Sequence, residues 1–319
     1  MSVMSSGQDD TRPRVLITGA GGFVGRHLTG ALAAAHPDWS LDAPAEFEGT
    51  FGLDVADAEA VDAWVQRSRP DMVVHLAAVA AVTASVRDPR LAWRVNLGGT
   101  LNLVLALQKH APNTHLLFVS SAEVYGEGLD SHGATDEGAL LMPVNPYAAS
   151  KAAADILVRQ SAAGGLSATV VRPFNHIGPG QGEAFVAPNF AGQIARIEAG
   201  LQAPLIEVGS LDDERDFLNV ADVVDAYRLL LERRSDPAAR SLFNVASGAP
   251  VRIGDLLERL LSLAGLKIEV RVDPSRIRST PTRRVVGDAS RLRGLGWRPT
   301  RTLDESLLAV LQDRRRALS

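Results

Sequence analysis

The sequence predicts an α/β fold, a doubly wound parallel sheet with a smaller, discontinuous C-terminal region. Two observations predict it. From Arg14 onward short β-branched runs, "RVLITG", "DMVVHLAA", "HLLFVSS" and "SATVVRPF", alternate with longer helical patterns, the rhythm of a parallel sheet with helices on both faces. Runs such as "VVHLAA" and "LLFVSS" are almost continuously apolar, as strands covered on both sides require. Ligands of such a sheet bind beyond the carboxyl ends of its strands.

With 319 residues the chain can bury one large core, or a nucleotide-binding unit with an appendage. Residues 1–13 read as a disordered polar tail without the apolar centre of a secretory signal. Segments 14–175 and 217–247 are assigned to the sheet domain, with "RDFLNVADVVDAYRLLLE" and "SLFNVAS" read as a helix and strand that rejoin it. The Gly- and Pro-rich stretch "HIGPGQGEAFVAPN" interrupts regular structure, so segments 176–216 and 248–319 are assigned to a second domain.

Lys+Arg 33 against Asp+Glu 37 leaves a formal charge of -4, which gives no reason to expect binding to nucleic acid or an anionic membrane. No apolar run approaches the roughly 18 residues that span a bilayer. Cysteine is absent, which excludes disulfides, thiol catalysis and thiolate metal sites and fits a reducing, cytoplasmic setting. The seven histidines show no H-x-x-x-H spacing, so no metal site is expected.

"VLITGAGGFVG" reads as a strand, a glycine turn and the start of a helix. Gly19 permits the tight turn, Gly22 lets backbone approach a pyrophosphate, and Gly25 lets helix and sheet come close. The helix N-terminus then offers free N–H groups to phosphates. The spacing is G-x-x-G-x-x-G, with Val24 in the last glycine place of the G-x-G-x-x-G form. Asp42, in "SLDAP", falls at the end of a second strand, at the distance of an acid that binds adenosine ribose hydroxyls, which favours NAD over NADP. Asp54, in "GLDVAD", is an adenine neighbour or, the plainer reading, a helix cap.

In "VNPYAASKAAADILVRQ" Asn145 suits an N-cap and Pro146 the first helical position. Tyr147 and Lys151 then lie one turn apart on one face. A phenol titrating near ~10 is a poor acid at neutrality, and a neighbouring ammonium is expected to draw it down, so that it can give a proton to a carbonyl oxygen as hydride arrives at carbon. Ser120 and Ser121 end the strand "LLFVSS" at the ligand-binding edge, where a hydroxyl can share in stabilising the oxyanion.

"TGAGGFVG", "HLAA", "VNLGGT", "SSAEVYG", "NPYAASK" and "RDFLNVADV" occur in this order. In them the chain resembles the extended short-chain dehydrogenase/reductases that act on nucleotide-diphosphate sugars, from about residue 14 to 312. The resemblance implies a Rossmann domain, Ser121, Tyr147 and Lys151 as the catalytic group, and Asn96 as an organiser of the site, although an Asn that starts a helix also serves as a cap. It implies NADPH or NADH as cofactor, held by Gly19, Gly22, Phe23, Val24, Gly25, Asp42, Asp54, Val55, Leu76, Ala77, Ala78, Asn96, Tyr147, Lys151 and Pro173.

"VRPFNHIGPGQGEAFVAPNFAGQIARIEAG" and "EVGSLDDERDFLNV" are similar to the GDP-4-keto-6-deoxy-mannose reductases, which make GDP-rhamnose. This implies a GDP-linked 4-keto-6-deoxy sugar as substrate, reduced at C4, with Ser121, Glu123, Asn175, Asn189, Arg215 and Arg278 on its side of the cleft and both arginines near the diphosphate. Guanidinium forks suit phosphate oxygens. Related dehydratases carry an Asp-Glu pair after the catalytic Ser or Thr; here it reads Ala122-Glu123, which removes the proton donor for dehydration and leaves the role of Glu123 open. His176 reads as a site neighbour or a structural hydrogen-bonder. A 4-epimerase of nucleotide sugars, a reductase of dTDP-linked keto sugars and a non-catalytic cofactor sensor are the alternatives. Helices "RLAWRVNLGGTLNLVLALQKH" and "AASKAAADILVRQ" are apolar on more than one face, compatible with a homodimer joined by a two-fold four-helix contact.

Overall fold

The structure, a computed structural model, describes residues 12–43, 52–129, 132–274 and 284–318. Its strands in chain order are β1 (Arg14–Thr18), β2 (Ser40–Asp42), β3 (Met72–His75), β4 (His115–Val119), β5 (Ala168–Pro173), β6 (Asn175–Ile177), β7 (Leu205–Val208), β8 (Glu214–Asn219), β9 (Leu242–Val245), β10 (Pro250–Arg252), β11 (Glu269–Val272) and β12 (Arg284–Val285). The α-helices are α1 (Phe23–Ala35), α2 (Ala58–Ser68), α3 (Val82–Arg87), α4 (Pro89–Trp93), α5 (Thr100–His110), α6 (Pro146–Ala163), α7 (Val186–Glu198), α8 (Val220–Glu232), α9 (Ile253–Ala264), α10 (Ser290–Gly294) and α11 (Leu303–Arg316).

Six strands form a parallel sheet in the order β2-β1-β3-β4-β5-β9. The order reverses between β1 and β3, which opens a crevice at the carboxyl edge where a dinucleotide can lie. Both faces are covered. On one, Leu28 and Leu32 of α1 and Val223, Tyr227 and Leu230 of α8 pack on Val15, Ile17, Val74 and Leu117. On the other, Val61 and Val65 of α2, Leu103 and Leu107 of α5 and Val158 of α6 pack on Leu16, Val73, Leu116 and Phe118. The alternation of neighbours along β1 and β4 between the two cores is the period-2 geometry of a strand buried on both sides.

A second core gathers Ile194, Ile206, Phe217, Leu256, Leu257, Leu307 and Leu311 from α7, β7, β8, α9 and α11. Around it lie β8, flanked by β10 and β12 and paired also to β6, and the two-stranded β7-β11 ladder. The boundary expected between 216 and 217 falls inside β8. "RDFLN" is a strand of this smaller sheet rather than the start of a helix, and the return to the large sheet begins at α8, capped by Asn219 Oδ1 on Ala221 N (2.8 Å). The assignment of 248–319 to the second region also needs division, because Val285, Ala289, Leu292 and Trp297 belong to the core of the large sheet. Of the expected tail, residues 1–11 lie outside the described residues.

Buried carboxylates tie segments both between the two cores and within the first. Asp216, fully buried in β8, accepts from Ser247 N (2.8 Å), Ser247 Oγ (2.6 Å), Gly248 N (2.9 Å) and Gly287 N (3.2 Å). Burial pushes its pKa up against these four bonds. Asp155 on α6, also fully buried, binds both Nε and Nη2 of Arg172 on β5 (2.9 Å each), and the guanidinium lies 4.8 Å from the Tyr125 ring centroid. Tyr125 in turn donates to Asn244 Oδ1 (2.7 Å). Removing one partner strands the other charge away from water. Asp155→Ala is therefore expected to lower unfolding free energy by about 3–5 kcal/mol, as measured by urea unfolding at neutral pH.

Candidate active site

The carboxyl edge of the large sheet collects most of the residues singled out by the sequence. At the glycine turn, Gly19 has φ +72 and a methyl group there would come within 2.7 Å of Ala77 N. At Gly25 a methyl would meet Gly19 O at 2.2 Å. Only glycine lets α1 approach β1 this closely. Gly22 is the N-cap of α1 and makes no side-chain cap bond, so the first N–H groups of the helix, those of Phe23, Val24 and Gly25, are turned to the crevice end without an intrahelical acceptor. A cradle of this shape fits a dinucleotide pyrophosphate. The far wall is the end of β3, where Leu76 N donates to Thr18 O (3.2 Å) and Ala77 N to Thr18 Oγ1 (3.2 Å), with Ala78 following.

Asp42 ends β2, and its Oδ2 accepts a bond from the buried Trp64 indole N–H on α2 (2.7 Å). Asp54 Oδ1 accepts from Ala56 N (2.9 Å) and closes a turn. It is not the helix cap: Asp57 holds that position, accepting from Glu59 N and Ala60 N. Val55 is buried against Gly99, where a methyl would approach its Cγ2 to 2.5 Å, and its carbonyl accepts from Asn102 (3.0 Å).

α6 begins as its sequence implies, with Asn145 Oδ1 accepting from Ala148 N (2.8 Å) and Pro146 in the first turn. That start sets Tyr147 beside Ser121. The Ser121 hydroxyl caps the short 3-10 helix Ala122–Tyr125 through Glu123 N (3.1 Å) and lies near enough to the Tyr147 phenol to favour its ionised form. Lys151 is buried, with Nζ donating to Val119 O at the end of β4 and lying 4.6 Å from the Phe118 ring centroid.

Electrostatically the site differs from the expectation that the ammonium lowers the phenol. Burial pushes Tyr147 up to about 12, opposed by the Ser121 bond and reinforced by the Glu123 charge. The same burial brings Lys151 down to about 8, with the Asp155 charge acting the other way. One helical turn does bring both side chains to one face, but the amine is drawn to the Val119 carbonyl. The phenol is therefore a proton holder at neutrality and Lys151 an ammonium close to its titration point.

Asn96 is not a helix cap. It lies inside a π-helical segment, Arg94–Gly99, a form that is frequent at functional sites. Its Oδ1 accepts from Val79 N (2.8 Å), and its Nδ2 donates to Ser150 Oγ (2.9 Å), whose own proton goes to Tyr147 O (2.9 Å). Pro173, buried, closes β5, and Asn175 follows in β6.

His176 is held by an Nδ1–H bond to Phe174 O (2.9 Å) and stacks on Phe23 with centroids 6.0 Å apart and planes 7° from parallel. Burial lowers its pKa, so the ring is neutral at working pH.

The residues expected on the substrate side are spread over the second core. Asn175 pairs with Phe217 across β6 and β8, and Arg215 stands two positions earlier on β8 with Nη2 on Asp213 (2.8 Å). Asn189 on α7 bonds Gln193 (2.9 Å) and Glu183 O (3.4 Å). Arg278 lies outside the described residues. A polar cavity of about 340 Å³ opens beside Asn189, lined also by Gln193, Arg196, Gln202 and Glu207. Those four were not singled out from sequence, although Asn189, Gln193 and Arg196 recur at helical spacing on one face of α7. Ser120 Oγ, beside Ser121, is buried without a partner among the described residues.

A glycine cradle at a switch point beside a Ser-Tyr-Lys group defines a nicotinamide-dependent enzyme of the extended short-chain dehydrogenase/reductase class. Residues 15–246 match the NAD dependent epimerase/dehydratase family, and the chain belongs to it. It is 41% identical over 303 residues to GDP-6-deoxy-D-mannose reductase of Pseudomonas aeruginosa, covering 94% of this chain and 96% of that protein. The structure of RMD from Pseudomonas aeruginosa complexed with NADPH superposes with a TM-score of 0.85 at 39% identity, covering 96% of this chain and 99% of that one. UDP-glucose 4-epimerase of Thermus thermophilus, in complex with NAD, superposes at 0.82 with 30% identity, over 95% and 99% of the two chains.

The lysine also leaves a signature in stability. Between pH 8 and 10.5 the unfolded chain keeps a proton on this amine that the folded chain has released, so stability rises with pH there. From pH 10 to 12 the phenol acts oppositely, since the unfolded chain ionises first. Lys151→Met is expected to flatten the rise in unfolding free energy between about pH 8 and 10, as read from denaturant unfolding across that window.

Proposed function

We propose that this protein uses NADH or NADPH to reduce the C4 ketone of GDP-4-keto-6-deoxy-D-mannose, forming GDP-D-rhamnose. The observation that carries the reading is the placing of Ser121 beside Tyr147 and Lys151 at the carboxyl edge, in a chain 41% identical over nearly its whole length to a GDP-6-deoxy-D-mannose reductase. The bound dihydronicotinamide supplies the hydride. Tyr147, with its proton held firmly by burial, donates it to the sugar O4 as negative charge develops there. Ser121 gives a second hydrogen bond to the same oxygen. Lys151, anchored on Val119 O, supplies the positive charge that the resulting phenolate needs.

Glu123 raises the phenol further, and the buried Ala122 before it stands where a dehydratase would need its acid. Asn175, Asn189 and Arg215 belong to the substrate side, together with Arg278. Arg215 suits the diphosphate, and the polar cavity at Asn189 suits the purine. Trp93, Leu101, Leu105 and Ile156, large apolar side chains exposed on α4, α5 and α6, support a homodimer. The cysteine-free composition suits the cytoplasm.

NMR of the product formed from GDP-4-keto-6-deoxy-D-mannose with each reduced cofactor tests the reading. Stoichiometric nicotinamide oxidation and a 4-hydroxy product are expected; interconversion of 4-epimers without net oxidation would replace it by a 4-epimerase. Tyr147→Phe is expected to lower kcat by roughly 10²–10⁴-fold while cofactor affinity, followed by nicotinamide fluorescence, stays near that of the unaltered protein. NADH is the expected preference, because an acid at the end of β2, Asp42, oriented by Trp64, suits adenosine ribose hydroxyls and would repel a 2′-phosphate, and residues 40–66 contain no Lys or Arg. The ratio of kcat/KM for NADH over NADPH should be roughly ten or more, about 1.4 kcal/mol, and Asp42→Ser should reduce it.

A further inference from the structure

His75 ends β3 in full burial, between two threonines, and the proposed chemistry gives it no task. Its partners fix its tautomer. Thr100 Oγ1 gives its only proton to Asn96 O (2.6 Å), so it can only accept from His75 Nε2–H (3.1 Å). The bare Nδ1 then accepts from Thr18 Oγ1 (2.6 Å), and Thr18 accepts from Ala77 N (3.2 Å). Beyond Asn96 the bonds continue through Ser150 to the Tyr147 carbonyl.

Every link has a defined direction, and Thr18, His75, Asn96, Thr100 and Ser150 are all at most 1% exposed. A fully satisfied buried polar network rigidifies what it joins. Here it joins the Ala77 wall, against which Gly19 rests, to the backbone of the catalytic tyrosine. The Thr100 bond to Asn96 O is also a side-chain bond back onto a helix carbonyl, of the kind that distorts helices, and it lies at the π-helical turn. Burial, aided by the Lys151 charge, brings the His75 pKa down to about 3, so the ring keeps one donor and one acceptor through the working pH range.

We propose that His75 is a positioning residue that sets the distance between the cofactor groove and Tyr147, by coupling Ala77 through Thr18 on one side to Asn96 through Thr100 on the other. The proposal rests on the reductase reading for its kinetic consequence, but not for its effect on cofactor binding.

A double-mutant cycle between the two ends of the chain of bonds tests it. Thr18→Val and Ser150→Ala remove one hydroxyl each, at sites whose effects would add if they were independent. Each is expected to lower kcat roughly ten-fold, and the double variant roughly ten-fold rather than a hundred-fold, because one cut already releases the tyrosine backbone. Far-UV circular dichroism and melting temperatures well above the assay temperature for each variant should show the fold intact, which separates positioning from general loosening. His75→Phe, which keeps bulk and removes both nitrogens, should match the double variant; if it fails to fold, the cycle alone decides.

The same cycle read on the dissociation constant of NADH, by reduced-nicotinamide fluorescence, should show the same non-additivity and needs no sugar substrate. A protein that binds NADH with coupled variants but turns over no keto sugar would strike the proposed function and leave the positioning role standing. Additive losses in both readouts, or single variants with unchanged kcat and affinity, would overturn the role of His75.

Discussion

The site depends on one buried cation. Lys151 reaches from α6 to the last carbonyl of β4 and lies over the Phe118 ring, joining the helix that carries Tyr147 to the strand that presents Ser121. An ammonium in this position is expensive to desolvate, which is why its pKa falls to about 8. It is held by a backbone dipole, an aromatic face and the more distant charge of Asp155 rather than by a direct carboxylate partner. A tight ion pair at Nζ would have stabilised the fold more and left less positive charge for a phenolate. Serine and tyrosine then lie side by side without either being fixed by a charge of its own.

Around that contact, the polar interior divides into two systems with different work. One is neutral and runs from Thr18 through His75, Thr100 and Asn96 to Ser150, along the face toward α5 and α6. The other is charged and joins α6 to β5 through Asp155 and Arg172, then, past Tyr125, reaches Asn244, whose Nδ2 donates to Thr135 O and Asp288 O. The second system explains why residues after 284 return to the large sheet: their backbone carbonyl at Asp288 satisfies a buried amide of β9 that no strand neighbour reaches. The discontinuity of the chain is in this respect a requirement of hydrogen bonding inside the first core.

What the sequence made legible was local chemistry. The glycine turn, the Asn145-Pro146 helix start, the strand ending in Ser121 and the four-residue step from Tyr147 to Lys151 each depend on neighbours within a few residues. Features set by distant neighbours were not legible. "RDFLN" runs without a break into a helical pattern, and only its pairing with β6, β10 and β12 makes it a strand. The π-helical turn at Asn96 is hidden in a pattern that reads as one continuous helix. Asp54 reads as the helix cap from sequence, and only the backbone shows that Asp57 takes that position. The direction of the Tyr147 shift required knowing how deeply the hydroxyl lies and which acceptor Lys151 chooses. Trp64 as the partner of Asp42, and Glu207 beside Asn189, come from elements that meet only in the folded chain.

The four bonds on Asp216 bear on how the two lobes are held. This carboxylate grips the turn after β9 and the segment after β12 at once, so β8 and these two segments are sewn together at a buried knot. A clamshell rotation of one lobe against the other would have to undo that knot and expose a carboxylate built for dryness. The fold thus resists parting of the two lobes at the point where the chain crosses between them.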